Sequence, residues 1–285
     1  MRHEINVRFI LCMITGCLSL ALLVSSPGVL MAQAPPGPPP GAPRGPREYV
    51  PYDPAKEPAF KGEQELRKGA DALRSGGDSP FPQIVKKVGP DLFELGTTTL
   101  DLKARRVTVP GRINMVNGII EYLAVMDKRG KLHESLLALD VQPSFMHLAL
   151  ILLGLEPGEF TPGDPATRKP PAFSKWGDAV LLWVEWGREG KTERIPAATL
   201  MFNRATQKPG DTEWRFTGSV FGRGAFAADV TGSLIATWPD FRAIINAAAD
   251  VGNPYRGANA GFEVNGRAVP PLDTPIRLVI EPAGK

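Results

Sequence analysis

The chain has 285 residues, room for one large domain or two small ones, and its 43% hydrophobic content suits a real core. A net charge of only +3, with no basic block interleaved with aromatics, argues against nucleic acid as a partner. Both cysteines, Cys12 and Cys17, lie in the N-terminal apolar segment, and beyond His3 only His133 and His147 remain. The rest of the sequence therefore offers no disulfide, cysteine nucleophile, thiolate cluster or three-histidine metal site, and no cofactor is expected.

Residues 1–34 read as an export signal. Arg2 and Arg8 supply a positive start, Phe9 to Val24 are apolar almost throughout, and Ala32-Gln33-Ala34 is an A-x-A cleavage site. Pro35 directly after the cut is an awkward substrate, so a retained, slightly short membrane anchor is the alternative. Ile14-Thr15-Gly16-Cys17 resembles a lipidation box, but the residues after Cys17 stay apolar where a lipoprotein turns polar. The chain is expected to be exported, whether periplasmic, cell-surface or secreted, with membrane contact only through this segment if it is uncleaved.

Residues 35–80 read as a flexible linker. Pro35 to Phe60 carries ten prolines and almost no aliphatic residues, a composition for an extended spacer rather than a core. Leu66, Ala70 and Leu73 form the only helical stripe before Pro80, and a stable helix is not expected there. One folded domain is expected over 81–285.

That domain reads mostly as strands: 95–102, 105–109, 118–126, 132–141, 179–186, 193–202, 214–221, 232–237 and 275–280 are apolar or alternating, with turn residues between them. The turns at 127–130, 187–190 and 208–211 predict hairpins and hence antiparallel pairing. Two helices are expected. Pro143 to Leu153 starts on a first-turn proline and ends at Gly154, and Pro239 to Ala249 repeats the pattern up to Gly252. The recurrence of hairpin then proline-initiated helix suggests two related halves. The segment 156–175, rich in proline, glycine and charge, reads as an exposed loop. The expected class is α+β: β-rich antiparallel sheets with two short helices.

Most motif-like stretches dissolve on inspection. Gly187-Arg188-Glu189-Gly190-Lys191-Thr192 resembles the end of a phosphate-binding loop, but Glu185 stands where glycine is needed and a strand follows instead of a helix. Gly222, Gly224 and Gly232 miss the dinucleotide fingerprint. Trp183 and Trp186 differ by three and would face opposite sides of a strand, so no carbohydrate platform is read from the tryptophans.

One constellation remains. If 127–130 closes a hairpin, Glu121 and Glu134 become diagonal neighbours on one sheet face amid Ile119, Leu123, Leu132 and Leu136. Two carboxylates in such surroundings raise one another's pKa or take a cation or a basic partner. Glu134 should be at least partly buried and hydrogen-bonded, with Arg112, a backbone amide or a ligand as its partner. His133 and Ser135 should lie on the opposite face of an unbulged strand, and His147 reads as a core or surface histidine.

Three stretches carry a resemblance. "RRVTVPGRINMVNGIIEYLAV", "GKLHESLLALDVQPSFMHLALILLG" and the later "WRFTGSVF" and "GSLIATWPDFRAIINAAAD" resemble the YdjY-domain family of exported bacterial proteins over most of 87–283. The resemblance implies fold and location, and it lends weight to His133, Glu134 and Ser135 as signature residues. Some members carry a cysteine-rich tail suggestive of an iron–sulfur cluster, which does not carry over to a sequence without those cysteines. The candidate ligand-binding residues are thus Glu121, His133, Glu134 and Ser135; no catalytic or metal residue is assigned. The favoured class is an exported, non-catalytic binding or envelope-associated domain whose partner would be another envelope protein or a cell-surface ligand. The rival is a hydrolase-like or metal-dependent enzyme built on Glu121 and Glu134.

Overall fold

The computed structural model describes residues 49–53, 56, 63–75, 81 and 83–284, apart from 165, 170, 223, 249, 250, 253 and 255–259. The expected export segment 1–34 lies outside these residues. Among the described residues, no helix is long and apolar enough to cross a membrane.

Alternation builds the walls. β1 (Val85–Lys87), β2 (Leu92–Leu95) and β3 (Thr98–Asp101) form a meander leading into β4 (Arg106–Ile113). There follow β5 (Tyr122–Met126), β6 (Ser135–Leu139), β7 (Ala179–Arg188), β8 (Lys191–Pro196) and β9 (Trp214–Phe216). The last three are β10 (Ser233–Ala236), β11 (Ile245–Ala247) and β12 (Pro275–Pro282). On β7, buried Val180, Leu182 and Val184 alternate with less buried neighbours, the period of a strand with one wet face. Register extends this across the wall: Val184 pairs with Leu278 and Leu278 with Val109, while Leu182 pairs with Ile280 and Ile280 with Val107. These rows belong to one contiguous hydrophobic core.

The wall closes on itself. From β4 the order runs through β12, β7, β9, β11, β10, β5 and β6, and β6 pairs back onto β4. The expected α+β class of antiparallel sheets is therefore corrected to a closed eight-stranded β-barrel with the meander and β8 outside it. Closure satisfies the backbone groups that an open sheet would leave at its edges.

Two neighbouring pairs in the ring, β5–β6 and β10–β11, are parallel. Their connections, 127–134 and 237–244, are shorter than the about a dozen residues that a parallel crossover ordinarily takes. The hairpin expected at 127–130 does not form. Gly130 turns back beneath β5, with no room for a Cβ against Val125, and the 3-10 turn Leu132–Glu134 returns the chain to the start of β5. The predicted strand 132–141 accordingly begins only at Ser135.

The helices also differ from expectation. α2 (Pro143–Leu152) forms as predicted, ending at Leu153 and Gly154, whose φ of 90° suits glycine. The second predicted helix, 239–249, is instead a turn followed by β11. Ala243 to Ala247 are buried on every side, so they carry no period to separate helix from strand. With it goes the suggestion of two related halves built from hairpin and helix. α3 (Ala227–Thr231) is a short helix that the sequence reading missed. The loop 156–175 contains a two-stranded ribbon, Glu159–Thr161 with Ala172–Lys175.

The largest gain over expectation is α1 (Glu63–Arg74), inside the stretch read as linker. Its stripe is no marginal helix: Leu66 and Ala70 are fully buried in the common core. Leu66→Ala should cost about 2 kcal/mol, at the low end for a buried leucine because α1 lies at the periphery. Urea denaturation measures it; an unchanged midpoint would mean that α1 does not belong to the fold.

Candidate functional site

The parallel pair decides where the carboxylates go. Tyr122 lies opposite Ser135, so the residues just before them, Glu121 and Glu134, meet side by side at the entry of β5 and β6. The Glu121 N–H donates to the Glu134 carbonyl at 3.0 Å, and the Thr237 N–H and hydroxyl both donate to the Glu121 carbonyl at 2.9 Å. The sequence reading placed the two acids diagonally across a hairpin. They are neighbours, but through a parallel register.

Both carboxyl groups are buried, with Glu121 5% and Glu134 6% exposed. Their counter-charge is Lys131, three residues before Glu134. Its ammonium lies 3.1 Å from Glu121 Oε2 and 2.6 Å from Glu134 Oε1, and 5.5 Å from the centroid of the Tyr122 ring. The contact with Glu134 is short in distance but poorly directed as a hydrogen bond, so it is better described as an ion pair. Arg112, the arginine expected for Glu134, is held elsewhere by Asp127 and Asp273.

Two opposed effects set the charges. Burial pushes the Glu134 carboxyl above its ordinary value; Lys131 pulls it down, and Glu121 beside it pushes up again. Burial alone would lower the Lys131 pKa, but its close contacts with the Glu134 and Glu121 carboxyls outweigh that and hold the ammonium above its ordinary value. The cluster is therefore two carboxyls sharing one cation, with Glu134 held in reach of protonation by its burial.

His133 is the exposed member. Because Leu132–Glu134 is a 3-10 turn and not a strand, the ring is not banished to the opposite face: Nε2 stands 3.7 Å from Glu134 Oε2, an ionic contact when the imidazole is protonated. Ser135 is fully buried and fastens the turn, its hydroxyl donating to the Lys131 carbonyl at 2.6 Å. That bond ties the start of β6 to the turn that carries Lys131. His147 lies apart, buried between the rings of Phe216 and Phe226, each 5.1 Å away.

Behind the acids runs a polar network that the sequence reading missed. The Tyr122 hydroxyl donates to Asp240 Oδ2 at 2.8 Å, and burial together with that carboxylate raises the phenol's pKa. Asn246 accepts from the Asp240 N–H and donates to Thr217 Oγ1 at 2.6 Å. The sequence signal at Asp240 was the preceding Pro239, which the pattern assigned to the start of a helix. A cavity of about 210 Å³ opens at the far end of β5 and β6, lined by Thr97, Met126, Asp127, Lys128, Leu139 and Phe145. Among the described residues, no group of three or more histidine, cysteine or acidic side chains is arranged to hold a metal ion.

The sequence model of the YdjY domain matches residues 98–281, which include every residue of this cluster. Neither a curated protein nor a solved structure matches the chain.

Proposed function

The chain belongs to the YdjY-domain family, and from that premise we propose that it is an exported, non-catalytic binding domain that takes a cationic group of its ligand on the Glu121–Glu134 pair. The observation that carries this is the state of Lys131: two buried carboxyls are met by one ammonium, which is itself half exposed. The Lys131 side chain is 51% exposed, so an entering cation competes with its ammonium for the two carboxyls from the solvent side. An amine or guanidinium entering there would meet two carboxylates and lie over the Tyr122 ring, with His133 at the rim. The charged start and apolar run of residues 1–34 support export, and so another envelope protein or a cell-surface ligand as the partner.

The test is thermal shift on the full chain with cadaverine and with free arginine as probes. Wild type should gain stability with the probe concentration, and Glu134→Gln should not. Equal shifts in both proteins, or none in wild type, would overturn the reading. One observation favours the hydrolase-like alternative: a carboxyl held above its ordinary pKa is what a general acid needs. Turnover of a chromogenic ester or glycoside, lost in Glu134→Gln and falling as pH rises, would establish that alternative instead.

A further inference from the structure

We propose that residues 49–53 form a strap, docked in cis on the 127–134 crossover, whose release opens the Glu121–Glu134 site. The inference rests on the binding reading above and adds its regulation.

The strap holds one side chain above all. Arg129 is 5% exposed, and its guanidinium is met from the strap by three groups. Nε donates to the Val50 carbonyl at 2.9 Å, one terminal nitrogen reaches the Pro51 carbonyl at 3.4 Å, and the Tyr52 ring centroid lies 5.6 Å from Cζ. The other terminal nitrogen donates to the Asp229 carbonyl of α3 at 2.5 Å. In return, the Val50 N–H donates to the Lys128 carbonyl at 3.1 Å. A buried charge of this kind depends on its acceptors, because removing them leaves a desolvated cation.

The strap itself is lightly held. Tyr49 is 64% and Val50 39% exposed, Pro51 is exposed as well, and only Tyr52 and Asp53 are partly buried, so little apolar surface is buried beneath it. Its hydrogen bonds are worth little each, and segments secured in this way open first. It lies within the proline-rich stretch 35–60, a composition with little apolar surface to hold it down.

There is no slack between strap and site. Arg129 and Gly130 both donate to the Met126 carbonyl, Leu132 to that of Gly130, and Glu134 to that of Lys131, so the crossover is a run of consecutive tight turns. When the strap lifts, Arg129 turns to water, and the same few residues carry Lys131 away from the two carboxyls.

Amide hydrogen exchange on the full chain tests this. Val50→Pro removes the N–H that reaches Lys128, and Tyr52→Ala removes the ring over Arg129. Each should speed exchange across 127–134 by roughly tenfold, what one or two lost hydrogen bonds release, while β7 and β12 stay as in wild type. A synthetic peptide of residues 47–55, added on the order of millimolar to match a short tether's effective concentration, should restore protection in Tyr52→Ala. Unchanged exchange at 127–134 overturns the strap, and so does a rise spread evenly over the barrel, which would make it a general stability element. Exchange needs no ligand, so either failure leaves amine binding to stand or fall on its own measurement.

Discussion

Replacing Lys131 by methionine should destabilise the domain by about 3 kcal/mol at neutral pH and by very little near about pH 4. The variant leaves Glu121 and Glu134 buried side by side with no ammonium between them. Breaking a buried pair costs about 3–5 kcal/mol, and the half-exposed position of Lys131 argues for the lower end. The pH dependence follows from the direction of the shifts. Glu134 has a raised carboxyl pKa in the fold, so it binds a proton more tightly folded than unfolded. Its contribution is present below the ordinary glutamate value and is lost as pH rises through the raised one. Without Lys131 the raised value moves higher and the loss deepens. Lys131 acts in its own range: with a raised pKa, its contribution is held until pH climbs past the ordinary lysine value and is lost only as pH passes the raised one. Urea unfolding of both proteins at a series of values from about pH 4 to about pH 8 measures the difference. Curves that stay parallel would show that Lys131 does not neutralise the pair. Glu134→Gln should be close to neutral, because Glu121 and Lys131 then balance one to one.

A larger loss, about 4 kcal/mol, is expected for Gly232→Ala. Gly232 ends α3 with φ of 71°, a left-handed conformation that costs any other residue. A Cβ there would also lie 2.5 Å from the Gly130 nitrogen and 2.7 Å from its Cα, and neither backbone atom can step aside. The Gly232 carbonyl accepts from the Met126 N–H at 2.8 Å, so the displaced backbone is the one that starts the crossover. Gly222→Ala is the control: a Cβ there meets nothing within 4 Å, and the change should stay within about 0.5 kcal/mol. If both substitutions cost the same in thermal unfolding, the close approach of Gly130 and Gly232 is not what holds the crossover.

What the sequence made legible was local. The period of two in Val180, Leu182 and Val184 marks a stave, Pro143 and Gly154 bracket α2, and Glu189-Gly190 turns β7 into β8 as the hairpin chemistry says. What stayed hidden was everything settled by distant partners. The stripe of Leu66, Ala70 and Leu73 is visible, but its stability comes from a core assembled far along the chain. Closure depends on β4 meeting both β6 and β12, which no window of sequence displays. The Asp127-Lys128-Arg129-Gly130 run announces a turn but not that the chain then doubles back into a parallel register. The two acids were found for that reason by an incorrect register. Lys131 was overlooked because it acts from a turn, and Arg112 was credited with a role that Asp127 and Asp273 had already taken.

The place of β12 in the ring has a kinetic meaning. This stave, 275–282, stands between β4 and β7, and it is the last of the eight to emerge as the chain is made. Until it arrives, β4 lacks one neighbour and β7 lacks another, so no closed intermediate exists to be trapped. The pairing of residues near 107–112 with residues near 275–280 gives the fold a high contact order, the regime of slow, late-committing folding. A chain delivered across a membrane in an extended state, as the proposed export requires, benefits from that delay. The ring cannot shut before 275–282 is available to pair with both β4 and β7.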